Sequence, residues 1–151
     1  MSGEIKLIAR KAGDAGFIAR GKSGHWSLMD AGKDIGAMSP FEMLFSSLAG
    51  CSGYDVMLVL RKKRVEFDDL WISIEADRAE EHPRVATRIH LHFTVVGDNV
   101  PPETVERAIA LSQEKYCSVS AMISKAAPIE TSFEIIDRDE ARRRNPMDFF
   151  S

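Results

Sequence analysis

The sequence lacks the features that mark several large classes of protein. Only two of its 151 residues are cysteine, which excludes a scaffold of structural disulfides. The 20 Lys and Arg residues do not outnumber the 23 Asp and Glu residues, so no nucleic-acid partner is expected. The first residues, MSGEIKLIARK, contain no secretory apolar segment, and no run approaches the roughly 20 apolar residues of a membrane span. We therefore expect a cytoplasmic protein with neither nucleic acid nor membrane as partner.

Motifs for nucleotide binding and serine hydrolysis are also absent. The chain contains no G-x-x-x-x-G-K-[ST], G-x-G-x-x-G or G-x-S-x-G. His90 and His92 lie at i and i+2 and share one face of a predicted strand, an arrangement that can bind metal. No cysteine or histidine has C-x-x-C or H-x-x-x-H spacing, so a solvated or partner-contacting strand face is favoured. The sequence predicts no metal site and no cofactor.

The chain does contain groups of strands around one long apolar helix. Alternating side chains predict strands at 4–10, 16–20, 25–30, 69–77, 84–96 and 129–136. Helical spacing predicts helices at about 39–63, 103–113 and 118–125. Grouped strands with a central helix indicate an α+β fold. We expect a single domain over residues 1–137 and a charged tail over 138–151.

The long helix has a distinctive beginning and an unusual middle. Ser39, Pro40 and Glu42 form a capping-box pattern with proline at the first helical position. Apolar side chains then occur nearly all round the helix, which predicts burial in a core or an interface. Gly50 and Gly53 lie in the middle and each costs about 1 kcal/mol relative to alanine. Tight packing, or access to the cysteine between them, must favour these glycines.

Each cysteine has two interpretations. Cys51 lies within the long helix, in LAGCSG, and looks buried. Cys117 lies in EKYCSVS, directly before a predicted helix for which Ser118 is a plausible N-cap, so the helix dipole would favour a thiolate there. The alternative for either residue is a small apolar side chain in a core. Asp55, four residues after Cys51, would be either an ion-pair or capping residue or a group that orients an arginine beside a thiolate.

Three segments resemble the OsmC/Ohr family of thiol peroxidases, and most closely its YhfA-like branch. They are PFEMLFSSLAGCSGYDV, RAEEHPRVATRIHLHF and VERAIALSQEKYCSVSAMI. The resemblance covers about residues 15 to 136 and includes both cysteines in their expected contexts. It implies an intertwined homodimer in which a long helix from each subunit crosses at the centre and the sites lie at the interface.

The resemblance also implies roles for individual residues. Cys51 matches the thiolate that attacks the peroxide and Cys117 the resolving thiol, which reverses the order suggested by the dipole argument. Glu42 and Arg20 are the expected supporting residues, with Lys22 as an alternative cation. The family has its glutamate directly after the proline, where this chain has Phe41. Expected apolar walls for the substrate are Leu44, Phe45, Met122 and Ile123.

The sequence thus predicts a thiol-dependent peroxidase for organic hydroperoxides, reset by an external dithiol and active in oxidative-stress defence. The alternative is a non-catalytic protein of the same fold that binds an apolar small molecule at the dimer interface.

Overall fold

The computed structural model describes residues 3–32 and 36–151, which divide into two compact units. The first unit ends at Ser46 and the second runs from Ser47 to Ser151. The predicted α+β class is confirmed, and the grouping of strands along the chain is the expected one. The elements are β1 (Leu7–Ala12), β2 (Gly16–Gly21), β3 (Trp26–Asp30), α1 (Pro40–Lys62), β4 (Asp69–Arg78), β5 (Ala86–Val96), α2 (Pro102–Leu111), α3 (Ser118–Ile123), β6 (Ile129–Ile136) and α4 (Arg138–Arg143).

The first unit contains an antiparallel sheet in the order β1-β2-β3. Gly13 and Gly24 have positive φ angles of 70° and 92° in its two turns, a conformation that glycine adopts without steric cost. Gly32 and Gly36 predict a loop over 31–38, and residues 33–35 of that loop lie outside the described residues. Several large apolar side chains of this unit are exposed, namely Ile5, Leu7, Ile8, Phe17, Trp26 and Leu28.

The beginning of α1 has the predicted capping box. The Ser39 backbone N–H donates to Glu42 Oε2 at 2.8 Å, and the Glu42 N–H donates to Ser39 Oγ at 3.2 Å. These reciprocal bonds satisfy two backbone donors that no helical carbonyl can reach.

Only one stripe of α1 is buried within the chain. Its buried residues are Leu48, Ser52, Gly53, Val56, Val59 and Leu60, whereas Leu44 and Tyr54 are exposed. Among the described residues α1 is also the one helix whose length and composition would suffice to cross a membrane. Its buried stripe, packed inside the second unit, is typical of a core helix.

The second unit contains a sheet in the order β4-β5-β6. β5 runs antiparallel to β4 and parallel to β6, so the β5–β6 connection must be a crossover, and it carries α2 and α3. The core-facing side of β5 consists of Ile89, Leu91, Phe93 and Val95, all fully buried.

The predicted tail forms ion pairs with the rest of the second unit. Arg138 Nε lies 2.8 Å from Asp68 Oδ2, and Arg144 Nη1 lies 2.6 Å from Glu134 Oε1. The chain then ends in a 3-10 turn over Pro146–Phe150. The expected boundary between a domain and a tail at residue 137 stays a prediction.

Candidate active site

The two cysteine thiols lie close together inside the second unit. Cys51 is half-buried on α1, and Cys117 is only 2% exposed. Their Sγ atoms and a carboxylate oxygen of Asp55 all lie within 4.8 Å of one another. Both cysteines are free thiols, so the arrangement is a reduced pair separated in sequence by 66 residues.

A π-helical turn places Cys117. α2 is followed by a π-helical segment over Ser112–Tyr116, and the Cys117 N–H donates to the Ser112 carbonyl at 2.8 Å. The chain becomes extended at Cys117, with φ −76° and ψ 104°, before α3 begins. Single π turns of this kind occur frequently at functional sites.

Cys117 itself is the N-cap of α3. Its Sγ accepts a hydrogen bond from the Ser120 N–H at 3.3 Å. The prediction that Ser118 is the cap was wrong by one residue, because the chain is already helical at Ser118 and the thiol serves as the acceptor.

The environment of Cys117 favours a protonated thiol. Burial is the largest effect that raises its pKa, and the neighbouring Cys51 thiol raises it further. Hydrogen bonds from Ser52 and Ser120 oppose this shift without reversing it. The prediction that the helix start favours a thiolate at Cys117 was therefore wrong, since desolvation raises the pKa of this thiol more than the Ser120 N–H at the helix start lowers it.

Three buried serines and one glutamine surround the thiol pair. Ser52 Oγ donates to Cys117 Sγ at 3.5 Å and accepts from Gln113 Nε2 at 3.0 Å. Ser120 Oγ donates to Gln113 Oε1 at 2.6 Å. Ser112 Oγ donates to Asp55 Oδ2 at 3.0 Å. The network connects α1, the π-helical turn and α3 through side chains.

Asp55 faces this network and not an arginine. In the part of the chain that the structure describes, its carboxylate has the Ser112 hydroxyl as partner and forms no ion pair. Among these residues Asp55 therefore has neither the expected ion pair nor an arginine to orient.

Glu42 and Arg20 belong to the first unit. Hydrogen bonds from the backbone and the hydroxyl of Ser39 lower the pKa of the exposed Glu42 carboxyl. The Arg20 guanidinium lies 5.7 Å from the centre of the Trp26 ring. Both side chains therefore have local partners, and their supporting roles stay predictions.

The four predicted substrate-contacting residues divide between the two units. In the first, Leu44 is exposed and the Phe45 ring packs edge-on against Phe41, with centroids 5.0 Å apart. In the second, α3 carries Met122, which is 75% exposed, and Ile123, which is half-buried. Contact with a substrate stays a prediction for all four.

A groove of about 780 Å³ lies on another face of α1, within the second unit. Its lining includes Gly50, Gly53, Tyr54, Met57, Leu70 and Arg138. Neither cysteine lines the groove, so it is distinct from the thiol pair.

His90 and His92 lie on the polar face of β5. The Ser132 hydroxyl is 2.8 Å from His90 Nε2 and 2.7 Å from His92 Nδ1, and His92 Nε2 is 2.8 Å from Glu134 Oε2. Glu134 also binds Arg144. These histidines thus form part of a hydrogen-bonded strand face.

Sequence reasoning missed the polar residues around the thiols. Ser112, Gln113 and Ser120 follow or precede Cys117 at spacings that match no motif. One sequence feature could have indicated them. The segment around Cys117 contains several polar residues, although its apolar spacing is that of a buried helix.

Comparisons with known proteins place the chain in a family. The model of the OsmC-like protein family matches residues 31–132, and the chain belongs to this family. It is similar to "Protein YhfA" of Escherichia coli (strain K12), at 42% identity over 120 residues that cover 80% of this chain and 90% of that protein.

Solved structures show the same fold. A hypothetical protein from Aquifex aeolicus VF5 has a TM-score of 0.82 and 30% identity, covering 91% of this chain and 99% of its own. The organic hydroperoxide resistance protein OhrB of Bacillus subtilis has a TM-score of 0.59 and 13% identity, covering 87% of this chain and 98% of its own.

Proposed function

We propose that this chain is a thiol-dependent peroxidase that reduces organic hydroperoxides through Cys51 and Cys117. The observation that carries the proposal is the convergence of the two free thiols within 4.8 Å. Membership of the OsmC-like family, whose fold is shared with an organic hydroperoxide resistance protein, supports a redox or stress role.

The two thiols differ in a way that suits an attacking and a resolving group. Cys51 is the more exposed, so a peroxide reaches it first. Cys117 is buried and its pKa is raised, so it remains a thiol that can later condense with an oxidised partner. This assignment agrees with the one that the family resemblance implies.

The reaction then has two steps. The Cys51 thiolate attacks one peroxide oxygen, the O–O bond breaks, and the alkoxide leaves and takes a proton to become an alcohol. Cys51 is now a sulfenic acid. The Cys117 sulfur attacks it, a disulfide forms, and the hydroxyl group leaves as water with the Cys117 proton. An external dithiol reduces the disulfide and restores both thiols.

Side chains outside the thiol pair complete the proposal. Arg20 would stabilise the Cys51 thiolate and Glu42 would position that cation, with Lys22 as an alternative cation. Leu44, Phe45, Met122 and Ile123 would provide an apolar wall that favours alkyl over hydrogen peroxide.

We further propose that the enzyme is a homodimer in the cytoplasm. The exposed apolar side chains of the first unit support the homodimer, since a second copy would remove them from water. Mass determination in solution tests the dimer directly, because a monomer at micromolar concentration would contradict it.

Single-turnover thiol loss tests the peroxidase function. Reduced protein is mixed with one equivalent of cumene hydroperoxide or of hydrogen peroxide, and free thiols are counted against time. Both thiols should disappear, and faster with the organic peroxide. Cys51→Ser should abolish the reaction, whereas Cys117→Ser should lose only one thiol and accumulate a sulfenic acid. Thiols that persist in the unmodified protein would refute the function.

The groove beside α1 favours a second candidate, a non-catalytic protein that binds an apolar small molecule. Its volume of about 780 Å³ and its apolar lining residues, among them Met57, Leu70 and Ile72, suit such a ligand, and the charged Arg61, Asp69 and Arg138 in the lining would contact a polar end of it. Mass spectrometry of denatured protein should then detect a released compound, together with no peroxide turnover.

A further inference from the structure

The thiol pair has a third neighbour that the peroxidase chemistry does not use. A carboxylate oxygen of Asp55 lies within 4.8 Å of both Sγ atoms. Within residues 3–32 and 36–151, this is the one group of three or more His, Cys, Asp or Glu side chains whose ligand atoms converge in this way. A disulfide cycle needs two sulfurs and no carboxylate, so it does not explain why Asp55 lies beside the two thiols.

The geometry is compatible with a tetrahedral metal ion. Zn²⁺ binds thiolate sulfur at about 2.3 Å and carboxylate oxygen at about 2.0–2.2 Å, which places two sulfur ligands about 3.8 Å apart. Ligand atoms that already lie within 4.8 Å of one another need only small side-chain rotations to reach such distances.

The backbone holds the three ligands from two directions. Cys51 and Asp55 are four residues apart on α1 and therefore lie on one helix face. Cys117 approaches from the end of the π-helical turn. Cys51 and Asp55 are half-buried, which leaves a route by which an ion could enter.

Hydrogen bonds orient the ligands, as in established metal sites. Ser112 Oγ donates to Asp55 Oδ2 at 3.0 Å. Ser52 Oγ and the Ser120 N–H both donate to Cys117 Sγ, at 3.5 and 3.3 Å. Each of these bonds leaves further lone pairs available on the ligand atom.

We propose that Cys51, Asp55 and Cys117 form a three-ligand site for Zn²⁺ in the reduced protein, with water as the fourth ligand. Two sulfur ligands select a soft or borderline ion over Mg²⁺ and Ca²⁺. Each thiol releases one proton to the solvent when it binds the ion. Because the same sulfurs form the disulfide, bound Zn²⁺ and oxidation exclude each other. The inference goes beyond the proposed function, although it uses the same thiols.

Cobalt spectroscopy tests the site without reference to activity. Reduced, metal-free protein is titrated with Co²⁺, and the thiolate-to-cobalt absorption and the tetrahedral d–d bands are recorded before Zn²⁺ is added as competitor. We expect both spectral features, and their loss on addition of Zn²⁺.

Asp55→Asn keeps an acceptor for Ser112 but should weaken Co²⁺ affinity at least about tenfold. The matched control is Glu106→Gln, on the exposed surface of α2, which should bind like the unmodified protein.

Protein oxidised with diamide provides a second comparison that needs no substitution. It retains all three residues but ties both sulfurs in a disulfide, so it should show no cobalt bands. Absence of thiolate-to-cobalt absorption in the reduced protein would overturn the proposal, as would equal affinity in Asp55→Asn. Peroxide turnover without metal binding would refute only the metal site, and metal binding by a protein whose thiols persist when its metal-free form meets peroxide would refute only the peroxidase.

Discussion

At the scale of single residues, the two glycines of α1 have different surroundings. A methyl group at Gly53 would lie 2.6 Å from Ile72 Cδ1, whereas a methyl group at Gly50 would meet nothing within 4 Å. Tight packing and access to Cys51 are the two reasons expected for glycine at these positions. Packing within the chain explains Gly53 and leaves Gly50 unexplained.

This difference predicts opposite effects of the same substitution. Gly50→Ala should stabilise the protein by up to about 1 kcal/mol through helix propensity. Gly53→Ala should destabilise it by about 1–2 kcal/mol, because Ile72 must leave its place to admit the methyl group. Urea unfolding of the two variants checks the prediction. A loss of stability in Gly50→Ala would contradict it and would indicate that another chain packs on that position.

Cys117 has a structural role beside the chemical role proposed for it. Its Sγ is the acceptor that caps α3, so Cys117→Ser should keep the cap and Cys117→Ala should lose it. We expect the alanine variant to be less stable than the serine variant by about 1 kcal/mol. Urea unfolding of the two variants under reducing conditions measures this difference. Equal unfolding midpoints would show that the thiol cap contributes nothing to stability.

The limits of sequence reasoning are visible at these residues. The capping box at Ser39 and Glu42 was predicted because both partners lie within one turn of each other. The cap at Cys117 was misplaced because cysteine is an uncommon N-cap. Its raised pKa depends on burial by distant segments, which no local pattern reveals.

At the scale of elements, the π-helical turn decides where Cys117 lies. Sequence periodicity predicted a helix to residue 113 and another from 118, and the observed α2 and α3 agree closely. Five of the six residues between them, Ser112–Tyr116, form the π turn, and they have no sequence pattern that distinguishes a π turn from a loop. The turn brings Gln113 and Cys117 into contact with the same two serines, Ser52 and Ser120.

A deletion within this turn should separate the thiols. Removing Glu114, an exposed residue of the turn, would rotate the following residues by about 100° if the segment became α-helical. Treatment with diamide should then leave two free thiols, whereas Glu114→Ala, with the same chain length as the unmodified protein, should still form the disulfide. Disulfide formation in the deletion variant would show that the turn does not control the approach of Cys117.

At the scale of the whole molecule, the order of strands and helices was predictable and their long-range pairing was not. Alternation placed β4, β5 and β6 correctly, but the parallel pairing of β5 with β6 depends on the crossover that α2 and α3 provide. The polar face of that sheet likewise joins residues far apart in sequence. Arg144 and His92 both contact Glu134 there. The tail, which the sequence characterises only as charged, is therefore bound to the sheet by an ion pair.

This ion-paired cluster predicts how stability depends on pH. Hydrogen bonds from Arg144 lower the pKa of Glu134 from its ordinary value of 4.5 to about 2, with further contributions from His92 and Thr94. Because the folded-state pKa is depressed, the stabilisation is complete above pH 4.5 and is lost as pH falls toward 2. The Glu134 side chain is 35% exposed, so solvent screening limits this stabilisation to about 1 kcal/mol.

Glu134→Gln should therefore lower the free energy of unfolding at pH 7 and flatten its decline between pH 5 and 2. Glu106→Gln, on the exposed surface of α2, should leave the profile unchanged. Thermal unfolding across this pH range measures both variants, and parallel curves for Glu134→Gln and the unmodified protein would show that the pair with Arg144 does not stabilise the fold.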